Sequence, residues 1–328
     1  MRYLTKNSSV FLMVLCTLSA GGLSSKQKEA PPPMPQEQQN DYYGFIGGSY
    51  TYWIDTRESG GVFVSNFYAT PSTAPAQGTV DYFPRSTVSG FKVAAGFGSK
   101  ERESMFMVDY TWYRNKNSAV GSFSFPGGIG YNKPTLLNTT GGTAQKTTTF
   151  QRVDGALVNG PGKMFKYLEF KPIIAIIGAW DHETTTVTFN NATSGTSSLT
   201  TNQNWWAVGP ELGVSMDYDL YKGDNYNFAI TSMLGLGECW GQTNTTYLDY
   251  NNFSKATTQS SKDISKNVSS VVDVRLGVAF EHNNMAETNL GVYLGVSWDL
   301  QAWVNNFSSS NNSYWTLQGL TVNAGLDF

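Results

Sequence analysis

Few residues of this chain have the types and spacing that catalysis or metal binding requires. The chain has two histidines and two cysteines in 328 residues, which is too few for a metal cluster. The neighbouring pair Asp181 and His182 could form a general base, because a carboxylate can orient a neutral imidazole. One such pair is a weak signal, and we interpret His182 as a surface histidine. The sequence predicts neither an enzyme nor a bound cofactor or metal.

Charged residues recur instead at alternate positions inside apolar stretches, on the face opposite the large apolar side chains. Such a face predicts an interior, where charges either pair with one another or line an aqueous path that selects solutes. With the residues near the ends of the stretches included, this face carries four cations and ten anions, which favours a mild cation preference. The candidate interior residues are Lys92, Asp109, Arg152, Asp154, Glu169, Lys171, Glu211, Asp273, Arg275 and Asp299.

The elements that must position these charges are strands. Alternation with a period of two runs through ten segments, among them "SGFKVAAGFG", "MFMVDYTWY" and "WWAVGPELGVSMDYDL". Pro172 and Pro210 interrupt two of the segments, and we expect bulges or broken pairing there because proline cannot donate to a ladder. The last segment, "WTLQGLTVNAGLDF", ends the chain with alternate apolar residues, a pattern that outer-membrane proteins present to their barrel assembly machinery: Leu320, Val322, Leu326 and Phe328.

Composition and spacing favour a membrane barrel over a soluble sandwich, although both give the same binary pattern. Only 14% of the residues are charged, against about 25% in soluble domains. Short links alternate with long ones, roughly 55–87, 115–146, 183–203, 242–267 and 304–313, as the turns and outer loops of outer-membrane barrels do. The predicted fold is therefore all-β: a transmembrane antiparallel up-and-down β-barrel of about ten strands. The segment "GVFVSNFYA" in the first long link could form an extra hairpin, fold inward or raise the count to twelve.

The termini complete the predicted organisation. Residues 1–22 have the basic start, apolar core and small residues of a signal peptide. Residues 23–42 are proline-rich and polar, which predicts a periplasmic tether, and residues 43–328 form the barrel with its long outer loops. After cleavage Cys239 is the one remaining cysteine, so an internal disulfide is not expected. A net charge of -3 argues against nucleic acid as a partner.

Two consecutive segments carry a family resemblance. "KPIIAIIGAWDHET" and "WWAVGPELGVSMDYDL" resemble paired strands of the Legionella-type major outer membrane protein family, which also occurs in chlamydia-related bacteria. The resemblance extends over residues 43–328 and implies a porin-like protein of the bacterial outer membrane. The chain departs from the cysteine-rich chlamydial porins by its single mature cysteine, so a disulfide-linked envelope lattice is not expected.

The expected function is passive diffusion of small hydrophilic solutes through a narrow pore. Eight-stranded barrels fill with side chains and sixteen strands leave a channel; ten lie between, and the many small inward residues, such as Gly90 and Gly235, should widen the bore. The alternative is a closed or plugged barrel that acts as an adhesin or structural surface protein through its outer loops. Expected partners are outer-membrane lipid, the barrel assembly machinery and the solutes, with a homo-oligomer left open.

Overall fold

The structure is a computed structural model. It describes residues 42–56, 63–68, 77–81, 83, 85–99, 104–122, 128–131, 133–136, 139–160, 162–165, 167–191, 195–223, 225–251, 256–282, 290–304 and 314–328. The predicted signal peptide and nearly all of the predicted tether lie outside the described residues. Tyr42, the last residue of the predicted tether, already belongs to the first strand. No helix in the described part of the chain is long and apolar enough to cross a membrane.

The described residues form fifteen strands. Ten of them build the barrel: β1 (Tyr42–Asp55), β4 (Ser86–Ser99), β5 (Ser104–Ser122), β8 (Thr139–Val158), β10 (Leu168–Asn191), β11 (Gly195–Lys222), β12 (Tyr226–Asn251), β13 (Ala256–His282), β14 (Gly291–Val304) and β15 (Tyr314–Asp327). The other five are short: β2 (Phe63–Tyr68), β3 (Gln77–Asp81), β6 (Gly128–Tyr131), β7 (Lys133–Leu136) and β9 (Gly162–Phe165).

The ten long strands close into a ring. Each pairs antiparallel with the next in the order given above, β10 pairs with β11, and β15 returns to β1. The predicted all-β, up-and-down barrel of ten strands is therefore confirmed. The segment "GVFVSNFYA" contains β2, which joins β3, β6 and β7 in a separate four-stranded sheet and adds no strand to the ring.

Side chains alternate between the two faces of the barrel wall, as the period of two requires. On β10, Ile174 and Ile176 are exposed on the outside, whereas Ile173, Ala175 and Ile177 are buried inside. Aromatic residues bound this outward apolar band at both ends, as the girdles of membrane barrels do. At the rim that carries both termini, the terminal rim, they are Tyr42, Phe97, Phe106, Tyr218, Tyr226, Phe280 and Phe328; toward the opposite, far rim they are Tyr52, Trp112, Trp180, Trp206, Trp240 and Trp298.

The strands continue beyond the far girdle, which differs from the expected loop boundaries. β10 to β13 have 24 to 28 residues each, so most of the expected links 183–203 and 242–267 are paired strand. Polar cross-strand contacts replace apolar ones there, as between Thr184 Oγ1 and Asn202 Oδ1 at 2.9 Å. The end of apolar alternation therefore marks the edge of the outward apolar band, and the strands themselves continue beyond it.

The two prolines behave differently. The β11–β12 pairing skips Pro210 and its neighbour Gly209, between the pairs Val208–Trp240 and Glu211–Gly237, so the expected interruption is found there. Pro172 produces no bulge, because its register with Val214 on β11 is continuous. Its missing N–H falls at the end of β8, where the Asn159 backbone N donates to the Pro172 carbonyl at 3.0 Å.

The last strand seals the ring against the first. β15 pairs with β1 over eleven residues, and backbone bonds between Gly44 and Phe328 extend the pairing to the C-terminal residue. A Cβ at Gly44 would lie 2.7 Å from the Phe328 ring, so the glycine makes room for it. Leu320, Val322 and Leu326 of the predicted assembly signal are exposed on the outward face.

Candidate functional site

The centre of the barrel holds one arginine surrounded by carboxylates, here called the Arg152 cluster. Arg152 Nε lies 2.8 Å from Asp154 Oδ1, Nη2 lies 3.0 Å from Glu211 Oε2, and Nη1 lies 2.7 Å from Asp273 Oδ2. The strands β8, β11 and β13 supply these residues, each from an inward position. Arg152 is 4% exposed, and the three carboxyl groups pair with a guanidinium whose charge would otherwise be costly to bury.

A second ion group lies beside the first. Asp299 on β14 accepts from Lys92 Nζ at 2.8 Å and faces Arg275 Nε at 3.3 Å. The Ser297 and Thr321 hydroxyls donate to the same carboxylate at 2.8 and 3.0 Å. Asp299 is thus held by two cations and two hydroxyls, which fixes its position in the interior.

The two ion groups surround one small cavity of about 90 Å³. Asp109 also lines it, directly opposite Asp154 in the register of β5 and β8. Eight of the ten predicted interior residues line this cavity: Lys92, Asp109, Arg152, Asp154, Glu211, Asp273, Arg275 and Asp299. Five carboxyl groups and three cationic side chains thus surround it.

The remaining two predicted interior residues lie near the terminal rim. Lys171 Nζ is 2.7 Å from Asp217 Oδ2 and 3.8 Å from Glu169 Oε2. Glu169 also faces Lys222 at 3.5 Å, and Lys222 pairs with Asp219 at 3.2 Å. Apart from the buried Asp219, these side chains are more exposed than the Arg152 cluster, so water screens their interactions more strongly.

On the far side of the cavity, aromatic side chains fill the barrel; we call them the aromatic layer. Its members share an inward position and at most 2% exposure: Trp53, Tyr113, Phe150, Trp205, Trp303 and Trp315. Phe150 contacts Trp315 edge-on with ring centroids 4.8 Å apart, and Trp205 meets Trp303 at 5.2 Å. Such edge-to-face pairs are the favoured geometry of packed aromatic rings.

Polar contacts anchor the aromatic layer to the barrel wall. Trp315 Nε1 donates to Asp55 Oδ1 at 2.9 Å, and Trp53 Nε1 donates to Thr321 Oγ1 at 3.2 Å. The layer also touches the ion groups, since Lys92 Nζ lies 4.9 Å from the centre of the Trp53 ring. Cys239 is buried as a free thiol in the same apolar cluster.

The aromatic layer was not predicted from the sequence. Small inward residues were expected to widen the bore, but neighbouring groups occupy the space beside the inward glycines. A Cβ at Gly90 would lie 2.8 Å from Tyr113 Cβ, and one at Gly235 would lie 2.4 Å from Glu211 Oε1. A signal was present, because Trp53 and Tyr113 occupy the same alternate positions as the charged residues.

His182 and Asp181 do not form a catalytic pair. Asp181 is buried on the inner face, whereas His182 is exposed on the outer face, where Nδ1 contacts Asn204 Oδ1. The alternation of a strand separates the two side chains. Within the described residues, no three His, Cys, Asp or Glu side chains are arranged to hold a metal ion.

Comparison with known proteins identifies one family. The sequence pattern described as "Legionella pneumophila major outer membrane protein precursor" matches residues 46–327. A search of curated proteins gives no match.

Three solved structures show weak similarity to this chain, and none of them is similar enough to indicate its function. They are a Pseudomonas aeruginosa FadL homologue (8% identity, 88% of this chain and 90% of that one, TM-score 0.28), the transport unit of the Escherichia coli autotransporter AIDA-I (9%, 100% and 99%, 0.26) and the outer membrane channel DcaP of Acinetobacter baumannii (10%, 88% and 96%, 0.16). The family match covers nearly the whole barrel, and the outward apolar band and its girdles agree with it. The chain therefore belongs to the Legionella pneumophila major outer membrane protein family and is a β-barrel of the bacterial outer membrane.

Proposed function

We propose that this protein is a closed barrel that acts at the cell surface through the strands that project beyond the membrane. The observation that carries the proposal is the aromatic layer, whose six inward side chains pack against one another with almost no exposed area. Packed rings leave no path for a hydrated solute, because a close-packed interior has few voids larger than a water molecule. Below the layer, the Arg152 cluster fills the next level of the lumen.

The projecting strands supply the surface for such a role. Short turns mark the periplasmic side of these barrels, so the far rim faces the cell exterior. There, β10 to β13 display threonine, asparagine and serine, and side-chain bonds such as Thr186–Thr200 at 3.2 Å link the strands. A paired, polar wall of this kind suits adhesion or a structural role in the envelope.

Porin-like passive diffusion of small hydrophilic solutes is the second candidate. It is favoured by the charged cavity under the aromatic layer and by the ion pairs that continue toward the periplasmic rim. In that case the aromatic layer is the gate, and its displacement joins the cavity to the exterior. The excess of carboxyl groups over basic groups around the cavity would then favour cations.

Planar-bilayer conductance of the refolded protein separates the two candidates. We expect the wild-type barrel to give no discrete conductance steps, and we expect Trp303→Ala and Trp315→Ala to create them only together with Arg152→Ala, because the Arg152 cluster closes the level below the aromatic layer. Trp298→Ala is the matched control, because Trp298 lies on β14 like Trp303 but faces lipid with 51% exposure. Discrete steps in the wild type would instead establish the porin-like function.

We also propose that the last strand is the segment that the barrel assembly machinery binds. Leu320, Val322, Leu326 and Phe328 present one outward apolar row along the last strand. Deletion of Phe328 should lower the amount of assembled barrel in the outer membrane, whereas His282→Ala near the same rim should not. Equal assembly of both variants would contradict this role.

The same apolar row faces outer-membrane lipid. A homo-oligomer is compatible with this surface, and crosslinking in native membranes tests the oligomeric state.

A further inference from the structure

Charge is segregated between the two faces of the wall beyond the far girdle. Among described residues at this height, the charged side chains at outward positions are all cations: Arg85, Arg114, Lys116, Lys262 and Lys266. Carboxylates at the same height, such as Asp181 and Glu183, occupy inward positions. The chain as a whole carries a net charge of -3, so this outward surface has the opposite sign.

Three of these cations lie at outward positions on β5 and directly before β4. Arg114 and Lys116 are exposed two positions apart on β5, and therefore share one face. Arg85 directly precedes Ser86, whose Oγ accepts from Asn115 Nδ2 at 2.7 Å, and this bond holds the start of β4 beside the stretch of β5 that carries the other two cations. Within the described residues, no carboxylate lies within ion-pair distance of the three cations. We call Arg85, Arg114 and Lys116 the β4–β5 cationic patch.

Aromatic rings lie directly on the membrane side of this patch. Phe91 and Trp112 stack with centroids 5.4 Å apart, and Tyr110 lies 6.2 Å from Phe91. Trp112 is two positions below Arg114 on the same face of β5. The surface is thus apolar at the depth of acyl chains and cationic at the depth of headgroups.

We propose that the β4–β5 cationic patch binds the phosphate-bearing headgroup of an outer-leaflet lipid, whose acyl chains lie against the rings below. Arginine binds phosphate in a bidentate manner, and long basic side chains reach from the edge of the apolar band to the headgroups. Each cation near an anionic lipid surface strengthens binding several-fold. This site is separate from the lumen and goes beyond the proposed function, since neither a closed nor a conducting barrel requires it.

The cations of β13 provide a matched comparison. Lys262 and Lys266 also face outward, but Ile264 separates them on that face and the cluster of stacked rings is on β4 and β5. A double substitution of the two β13 lysines removes two positive charges, and so does a double substitution of Arg114 and Lys116 on β5. If the lipid binds specifically at β4 and β5, only the β5 substitution should weaken its binding.

The test uses the refolded full barrel in zwitterionic micelles, with lipid retention measured by native mass spectrometry. The probe is lipid A carrying both phosphates. We expect Arg114→Gln with Lys116→Gln to weaken its binding by at least about tenfold. Lys262→Gln with Lys266→Gln should change it by less than about threefold. Heat-modifiable gel mobility verifies that each variant is folded, as exposed positions should allow. Unchanged binding by the β5 variant, or equal loss in the β13 variant, overturns the proposal.

Two further arms identify the ligand. Lipid A without phosphates should bind weakly and equally to the wild type and the β5 variant. Millimolar inorganic phosphate should leave bound lipid A in place. Strong wild-type binding of the dephosphorylated lipid would overturn phosphate recognition. Complete displacement by inorganic phosphate would overturn the lipid as the ligand.

Discussion

The aromatic layer and the Arg152 cluster close the same lumen at neighbouring levels by different physical means. The aromatic layer excludes solutes by packing, and its rings meet at 4.8 to 6.5 Å between centroids. The Arg152 cluster fills its level with one guanidinium and three carboxyl groups. Each carboxyl group has an oxygen within 3.0 Å of a guanidinium nitrogen. One level depends on contact area and the other on ion pairing.

The two levels therefore tolerate loss differently. Removing one ring leaves a cavity, and the remaining contacts of the layer persist. Removing the arginine leaves buried carboxylates without a counter-charge, which is costly because the interior solvates them poorly. Loss of one ring should therefore weaken the aromatic layer only in part, whereas loss of the arginine should destabilise the whole ion cluster.

The largest effect is expected at Arg152. Arg152→Met keeps most of the side-chain volume but leaves Asp154, Glu211 and Asp273 without their shared cation. We expect the free energy of unfolding to fall by about 3–5 kcal/mol, measured by urea unfolding in phospholipid vesicles. Lys222→Met is the control, since its side chain is 60% exposed at the periplasmic rim, and it should cost less than about 1 kcal/mol. Equal losses in the two variants would refute the distinction between buried and rim ion pairs.

A somewhat smaller effect is expected in the aromatic layer. Phe150 is fully buried and contacts Tyr113, Trp303 and Trp315. Phe150→Ala should lower the free energy of unfolding by about 3 kcal/mol, from lost burial and the cavity that remains. Raising the salt concentration should leave this loss unchanged, because no charge is involved.

The matched control for this loss is Phe97→Ala, on the outward face with 64% exposure. Lipid tails can fill the space left by Phe97, so its substitution should cost much less in the same vesicle assay. If Phe150→Ala cost no more than Phe97→Ala, the aromatic layer would be loosely packed and could not act as the barrier.

The sequence predicted the wall of the barrel well because the wall follows a local rule. Alternation assigned Lys92, Asp109 and Arg152 to inward positions, and each lines the central cavity. Two partners of Arg152 were not predictable, since Glu211 on β11 and Asp273 on β13 are distant in sequence. Only closure of the ring brings those strands within reach of one guanidinium.

The aromatic layer and the projecting strands are the two features that apolar alternation did not predict. Trp53 and Trp205 have the inward parity, yet aromatic residues in membrane barrels were expected at the outer girdles. The expected loops from residue 183 onward were assigned from the end of apolar alternation. Hydrogen-bonded pairing does not need apolar side chains, so β10 and β11 continue as strands through polar sequence.

The smallest predicted effect tests whether the two levels act independently. The second ion group borders the same cavity as the Arg152 cluster, and it touches the aromatic layer where Lys92 Nζ lies 4.9 Å from the centre of the Trp53 ring, a cation–π distance. A double-mutant cycle with Lys92→Met and Trp53→Leu isolates this contact from the ion pair of Lys92 with Asp299 and from the packing of Trp53. We expect a coupling free energy of about 1 kcal/mol, favourable and well below either single loss. A coupling of zero would mean that the levels close the lumen separately, whereas about 3 kcal/mol would mean that they form one cooperative unit and that the contrast between them fails.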